Sequence, residues 1–233
     1  MIDTKKINDR IIELWKDQYK GREDKVLSPL LYPCFDQAGV LFIGLNPSFN
    51  QKFLGTFPDV NFYLSCIDDN RERLLEIENY ALKKYSYFTK IRSIFEDDNF
   101  TSLKGLRWSH IDLFLVRETN ENIVKKEFHI TKNKKTALTD FAEKQVNLAF
   151  ELIDILHPQQ IVVVSACASD IIRRYKKITP ENFDTAAGTY RVSAGGKEIP
   201  IFFSGMLSGQ HAVDDGTFER LKWQMNRIPA LHE

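Results

Sequence analysis

Two short segments carry the side chains best suited to chemistry. The first reads Gly44-Leu45-Asn46-Pro47-Ser48-Phe49-Asn50. Gly44 permits a sharp exit from whatever precedes it, Asn46 contributes an amide and a main-chain carbonyl, and Pro47 fixes the backbone while biasing Asn46 away from helix. A loop this rigid can hold an attacking water or grip the edge of a ring; an ordinary Asn-Pro turn has the same sequence. The second segment reads Ser204-Gly205-Met206-Leu207-Ser208-Gly209-Gln210-His211. Its two Gly and two Ser around an apolar pair suit a loop whose main-chain N–H groups come close to a phosphate, with the dipole of a following helix adding to the attraction. It lacks the Gly-Lys-Ser/Thr ending of a P-loop and the Ser spacing of a nucleophile elbow. On position alone, His211 reads as a surface or helix-capping residue.

A different chemistry is offered by Ser165-Ala166-Cys167-Ala168-Ser169. A thiol at the start of a helix can have a lowered pKa and act as a nucleophile. No His lies nearby in sequence, however, and a Cys that follows a core strand usually packs. His110 and Asp112 form only one plausible metal-ligand pair, so no metal site is expected. The three cysteines, Cys34, Cys66 and Cys167, contain no C-x-x-C and are too few for a disulfide framework, a Cys-rich zinc site or a four-thiolate cluster. No cofactor is expected.

These residues must be positioned by the elements around them. Ile7, Ile11, Ile12 and Trp15 fall at helical spacing, which predicts an amphipathic helix over 3–20. Val40–Ile43 is a short apolar run ended by Gly44, and Ile111–Val116, Ile161–Val164 and Ile199–Phe203 are further strands. Helices are predicted over Arg71–Phe95, Thr139–Leu156 and Asp214–Asn226, with Ser169-Asp170 as the cap of another. Nearly continuous apolar strands separated by helical stretches indicate βα units around a parallel sheet, so the fold class is α/β. In such sheets ligands bind where loops leave the carboxyl ends of the strands. The segments after Ile43 and Phe203 are two of those loops.

The order of these pieces resembles the uracil-DNA glycosylase superfamily. Val40-Leu-Phe-Ile-Gly-Leu-Asn-Pro-Ser48 is similar to its first motif, in the G-x-N-P form of the mismatch-specific and single-strand-selective branches. Trp108–Arg117 is similar to its second strand and Ile161–Ser165 to its third, and Phe203–Asp214 sits where its second motif lies. The resemblance implies a three-layer α/β/α domain over 1–233 with a central four-stranded parallel sheet, and an enzyme that hydrolyses the N-glycosidic bond of a flipped uracil or other damaged base in DNA. It implies that Asn46 orients the hydrolytic water, since an Asn cannot act as a general base near neutral pH. His211 would hold the pyrimidine O2, and the Leu45 main-chain N–H would approach the base within a turn built by Gly44 and Pro47. One of Phe49, Phe53, Phe57 and Phe62 would stack on the base. Met206 and Leu207 would fill the vacated stack, where the alternative is core packing, while Ser48, Ser204, Gly205, Ser208, Gly209 and Gln210 would grip the DNA backbone.

Two departures stand out. The second motif often reads His-Pro-Ser, which is absent here. Where the second strand commonly ends in a base-reading Asn, this chain has Asp112. A carboxylate facing uracil O4 sets acceptor against acceptor unless the acid is protonated. Cytosine's amine would suit the ionised acid better, and pairing with Arg107 or Arg117 would make Asp112 merely structural.

Composition bounds the rest. The chain of 233 residues is 43% hydrophobic and 27% charged, enough for one substantial core. Its 32 basic residues balance 32 acidic ones, so no global field draws nucleic acid. DNA binding must rest on local patches, of which there are two: Lys125, Lys126, Lys132, Lys134 and Lys135, and Arg173, Arg174, Lys176 and Lys177. No apolar stretch approaches the length of a membrane span, and the charged segment Met1–Arg10 does not resemble a secretory signal. A soluble, cytoplasmic monomer is expected, with residues 50–70 and 118–136 as variable insertions. A catalytically weak nucleic-acid or nucleobase-binding protein on the same fold is the alternative.

Overall fold

The fold was described from a computed structural model covering residues 3–35, 39–131, 137–209 and 212–228. Its elements follow the order α1 (Lys5–Gln18), β1 (Val40–Gly44), α2 (Gln51–Leu54), α3 (Ile67–Lys84), α4 (Thr89–Glu96), β2 (Trp108–Asp112), α5 (Glu121–Glu127), α6 (Asp140–Leu156), β3 (Gln160–Val163), α7 (Ala166–Tyr175), β4 (Phe183–Asp184), β5 (Thr189–Ala194), β6 (Lys197–Phe203) and α8 (Asp215–Arg227). All six strands join one sheet in the order β2-β1-β3-β6-β5-β4. The first four are mutually parallel, and β5 and β4 continue the sheet antiparallel.

Strand alternation explains the layering, because successive side chains point to opposite faces. Leu41, Ile43, Ile161 and Val163 meet apolar residues of α1, α3, α6 and α7. Val40, Phe42, Val162 and Val164 meet Ile91, Ile94 and Phe95 of α4 and Phe218, Leu221 and Met225 of α8. Both faces of the parallel strands are thus covered by helices, which is why those strands read as continuous apolar runs. Thr139 caps α6 through the Ala142 amide and Asp214 caps α8 through the Thr217 amide.

The α/β class holds, but the sheet has six strands rather than four. The additional pair arises from a hairpin: Gly195 and Gly196 take φ of 56° and 75° between β5 and β6, the left-handed conformation that two-residue hairpin turns require. β2 begins earlier than expected and ends at Asp112. Beyond it, the consecutive amides of Leu113 and Phe114 bond the carbonyls of Gly44 and Leu45; successive amides of a regular strand point to opposite edges, so the ladder stops there. The stretch Arg71–Phe95 is two helices, not one. Tyr85 is extended (φ −68°, ψ 131°), and the break carries the chain from the face holding Leu74 and Ile77 to the face holding Ile91 and Ile94. Finally, α7 starts at Ala166 and is capped by Ser165, not by Ser169-Asp170.

Candidate functional site

A cavity of about 900 Å³ opens at the carboxyl ends of the parallel strands. The loops after all four contribute to its wall: Leu45–Ser48 after β1, Asp112 and Arg117 at and beyond the end of β2, Val164 and Ser165 after β3, and Met206, Ser208 and Gly209 after β6. The break between α3 and α4 adds Tyr85, Tyr87 and Phe88, and the segment before β1 adds Tyr32. A volume of this size accommodates a nucleoside or another small organic ligand.

Asn46 is held in one orientation. Its Nδ2 donates to the carbonyl oxygens of Glu118 (2.6 Å) and Val116 (3.3 Å). Both partners only accept, so the NH₂ end must face them and the Oδ1 end must face away. Among the described residues Oδ1 accepts no hydrogen bond, which leaves an acceptor free to bind water or a ligand donor. Gly44 is paired in register with Asp112. A Cβ at Gly44 would collide with Asp112 Oδ1 and lie 3.1 Å from His110 Nε2, so the missing side chain makes room for both residues. Pro47 accepts the Glu118 amide through its carbonyl (3.0 Å), which ties the first loop to the segment after β2.

Asp112 is 4% exposed, and no hydrogen bond to its carboxyl forms among the described residues. Its nearest basic atom is His110 Nδ1, 3.9 Å from Oδ2, beyond hydrogen-bond reach. Arg117 does not pair with it. The guanidinium, with its side chain only 3% exposed, instead bonds Glu78 Oε1 (2.6 Å) and the Ser28 carbonyl (3.1 Å). Tyr32 Oη donates to the Asp112 carbonyl (3.2 Å) and accepts from its amide (3.3 Å), so it fixes the backbone and leaves the carboxyl unbonded. Burial pushes the Asp112 carboxyl well above the usual carboxylate range, and the Glu78 charge adds to this against Arg117. Burial lowers His110 to about 3. Burial thus favours the neutral form of both groups. His110 Nε2 has no hydrogen-bond partner among the described residues.

Of the four Phe residues proposed for stacking, only Phe53 lines the cavity. Its ring centroid lies 4.8 Å from that of Tyr85, whose hydroxyl accepts from Asn50 Nδ2 (3.0 Å). Phe49 packs on Phe62 at 5.8 Å, and Phe57 sits behind Phe53 at 5.8 Å with Arg73 over its ring, so neither reaches the wall. The segment after β6 divides in the same way. Met206, Ser208 and Gly209 face the cavity, with the Ser208 hydroxyl donating to the Tyr87 carbonyl (2.7 Å). Ser204 and Gly205 lie off it. The Ser204 amide bonds the Val163 carbonyl, and a Cβ on Gly205 would approach Val213 Cγ1 to 2.9 Å. Leu207, expected as part of an intercalating wedge, is 2% exposed and belongs to the core that holds Ile91 and Phe218. Leaving that core would forfeit its burial, so only Met206 of the pair can serve. Gln210 and His211 lie outside the described residues.

Ser165 faces the cavity but spends its hydroxyl on capping α7, accepting from the Ala168 amide (3.3 Å). Cys167 does not line the cavity, and burial pushes its thiol up to about 11, which removes the case for an activated nucleophile. No cluster of three metal-ligating side chains occurs among the described residues, and none of their helices is long and apolar enough to cross a membrane. The basic patches are partly committed elsewhere: Lys125 pairs with Glu121 (2.6 Å), and Arg173 lies over the rings of Phe203 (4.1 Å) and Tyr190 (4.3 Å). Lys132, Lys134 and Lys135 lie outside the described residues.

Sequence reasoning missed Tyr32, Glu78, Tyr85 and Tyr87, and gave His110 and Arg117 no role in the pocket. His110 had a readable signal, because residues i and i+2 on a strand share a face and so place it beside Asp112. No protein-family model matches the chain, and no curated protein matches it significantly in sequence.

Proposed function

We propose that this chain is a DNA glycosylase of the uracil-DNA glycosylase superfamily, hydrolysing the N-glycosidic bond of a flipped uracil or other damaged base. The observation that carries the reading is Asn46: a motif Asn on the cavity wall, turned by two backbone carbonyls so that its free Oδ1 can hold water. The reaction needs little more from that residue. Water adds at the anomeric carbon as the base departs with the bonding electrons, and the water's proton is released to solvent. Charge stabilisation around the departing anion, rather than a strong base, then limits the rate. Phe53 and Tyr85 offer aromatic faces for the flipped base, and Met206 is the remaining apolar side chain to fill its place in the stack. The Ser208–Gly209 turn would meet the backbone, and His211 the pyrimidine O2. No cofactor is required, the partner is single- or double-stranded DNA, and the protein acts as a cytoplasmic monomer.

One observation favours a second reading, a nucleobase-binding protein that does not cleave. Every acid on the described cavity wall other than Asp112 already has one oxygen engaged: Glu78 binds Arg117, Glu118 accepts from the Asn120 amide, and Glu121 binds Lys125. Asp112 is pushed toward its neutral form by burial. None of the four is an unencumbered general base.

Base release from fluorescent oligonucleotides separates the two. Single-stranded and duplex substrates would carry uracil, hypoxanthine, xanthine or thymine opposite guanine, with alkali to reveal abasic sites. Release by the wild type should fall by about tenfold or more in Asn46→Ala, within the range expected for losing one positioning group. DNA binding at low salt with no release from any substrate would instead support the non-cleaving reading.

A further inference from the structure

We propose that Asp112 recognises the base as a neutral acid, offering one hydrogen-bond donor and one acceptor, and that it selects bases presenting a carbonyl beside an N–H. The inference rests on the glycosylase reading for its choice of ligand, but its structural basis is independent of it. The carboxyl sits on the cavity wall above Gly44, almost fully buried, and among the described residues no cation or donor bonds it. Arg117, beyond the end of β2, is bound to Glu78 of α3, and this pair presents no net charge. Tyr32 spends its hydroxyl on the Asp112 backbone. His110, on the same strand, stands 3.9 Å away without a bond and is itself neutral. Tyr87, across the cavity wall, keeps its proton, since burial raises it. A buried carboxylate without a partner is far costlier than its protonated form.

Protonation changes what the residue can read. An anion has only acceptors and would favour amines or an edge of two donors. The neutral acid sets an O–H donor beside an acceptor, as the amide that commonly stands at this strand end sets its NH₂ beside a carbonyl. Such a group can pair with a lactam edge, as in uracil or hypoxanthine, or with an amidine edge, as in cytosine. The departing anion decides between them. Negative charge accumulates on the carbonyl oxygen of a lactam, and an O–H donated to that oxygen strengthens as the bond breaks. His110, whose Nε2 lacks a partner, completes a polar end to an otherwise aromatic pocket.

The test measures binding, so it stands apart from cleavage. Oligonucleotides carrying 2′-fluoro-deoxyuridine or 2′-fluoro-deoxycytidine, which resist hydrolysis, would be compared with one carrying an abasic analogue. Wild type, Asp112→Asn and Asp112→Ala would be titrated from about pH 5.5 to about pH 8.5, below the ionisation of uracil itself. The wild type should prefer either base to the abasic analogue at low pH, because the choice between the two arises only as the anion departs. Its preference for uracil should fall by up to about tenfold per pH unit once Asp112 ionises. Asp112→Asn should keep the preference without that fall, and Asp112→Ala should lose it at every pH. A wild-type preference for uracil that rises with pH, or an Asn variant no better than the Ala variant, would overturn the inference. Release from ordinary deoxyuridine, measured in parallel, judges the glycosylase reading separately. The expected binding pattern without release would reject cleavage and leave this recognition standing.

Discussion

Gly44 is where the geometry of the pocket is most easily broken. Its α-carbon faces Asp112 Oδ1 and His110 Nε2 so closely that a methyl group there cannot coexist with the observed carboxyl position. The nearest atoms are the tips of two short, buried side chains rather than the end of a long flexible one, so strain would not relax cheaply. Gly44→Ala should therefore cost about 1–3 kcal/mol, the usual penalty for overpacking a well-filled core, read as a lower urea midpoint. It should also weaken base preference, because Asp112 must turn away from the cavity. A variant with wild-type stability and unchanged preference would mean that the carboxyl has room the structure does not show. Asn46 is different in kind: its orientation comes from two backbone carbonyls rather than from space, so its loss should reduce base release with little effect on packing.

At the scale of elements, α1 reaches the pocket through a chain of hydrogen bonds. Asn8, on its buried face, donates to the Tyr32 carbonyl (2.7 Å) and accepts from the Tyr32 amide (2.9 Å), while Tyr32 in turn fixes Asp112. Asn8→Ala would strand the buried Tyr32 amide, worth about 1–3 kcal/mol, while the Tyr32 carbonyl keeps the Thr4 hydroxyl as a donor (2.8 Å). We expect a loss of about 1–3 kcal/mol in chemical unfolding, and a smaller loss of base preference as Tyr32 loosens. Stability within about 0.5 kcal/mol of the wild type would show that water replaces the Asn. The helix itself was legible, since Ile7, Ile11, Ile12 and Trp15 recur at its period, but nothing in that period says that Asn8 joins the buried face as a clamp. The parallel strands were equally legible, because burial on both faces leaves apolar runs, and the rule that ligands sit at strand carboxyl ends pointed to the loops that bring Asn46, Met206 and Ser208 to the cavity wall. The β5–β6 hairpin was missed although Gly195-Gly196 between alternating residues announces it. The break at Tyr85 was missed because helical spacing continues across it, and with it went Tyr85 and Tyr87. The state of Asp112 was not readable at all, since it depends on Glu78 drawing Arg117 away across 39 residues of chain.

Across the whole molecule, keeping His110 and Asp112 neutral has a measurable consequence for stability. Folded Asp112 holds a proton that the unfolded chain releases above the ordinary value of 3.8, and folded His110 lacks a proton that the unfolded chain takes up below 6.5. Between about pH 4 and about pH 6.5 the two effects cancel: the unfolded pair is an anion and a cation, the folded pair is two neutral groups, and the proton count is the same. Above that window only the Asp112 difference remains. The folded state then binds one more proton, so stability falls as pH rises until Asp112 itself ionises, by up to about 1.4 kcal/mol per pH unit. Below it only the His110 difference remains, and stability falls as pH drops toward about 3. Asp112→Asn removes one side of this balance. Its stability should rise between about pH 4 and about pH 6.5 and escape the Asp112-linked decline above that, so the variant gains on the wild type with each step in pH. Urea unfolding of both proteins across this range gives the difference curve directly, and contributions from other groups cancel in it. Parallel curves would mean that Asp112 is ionised in the folded protein, and the recognition argued for it would fail with them. A widening gap would tie the two properties together: the same ionisation that ends base recognition at high pH would then relieve the strain of burying the acid, so the chain gives up stability near neutral pH to keep a donor in its pocket.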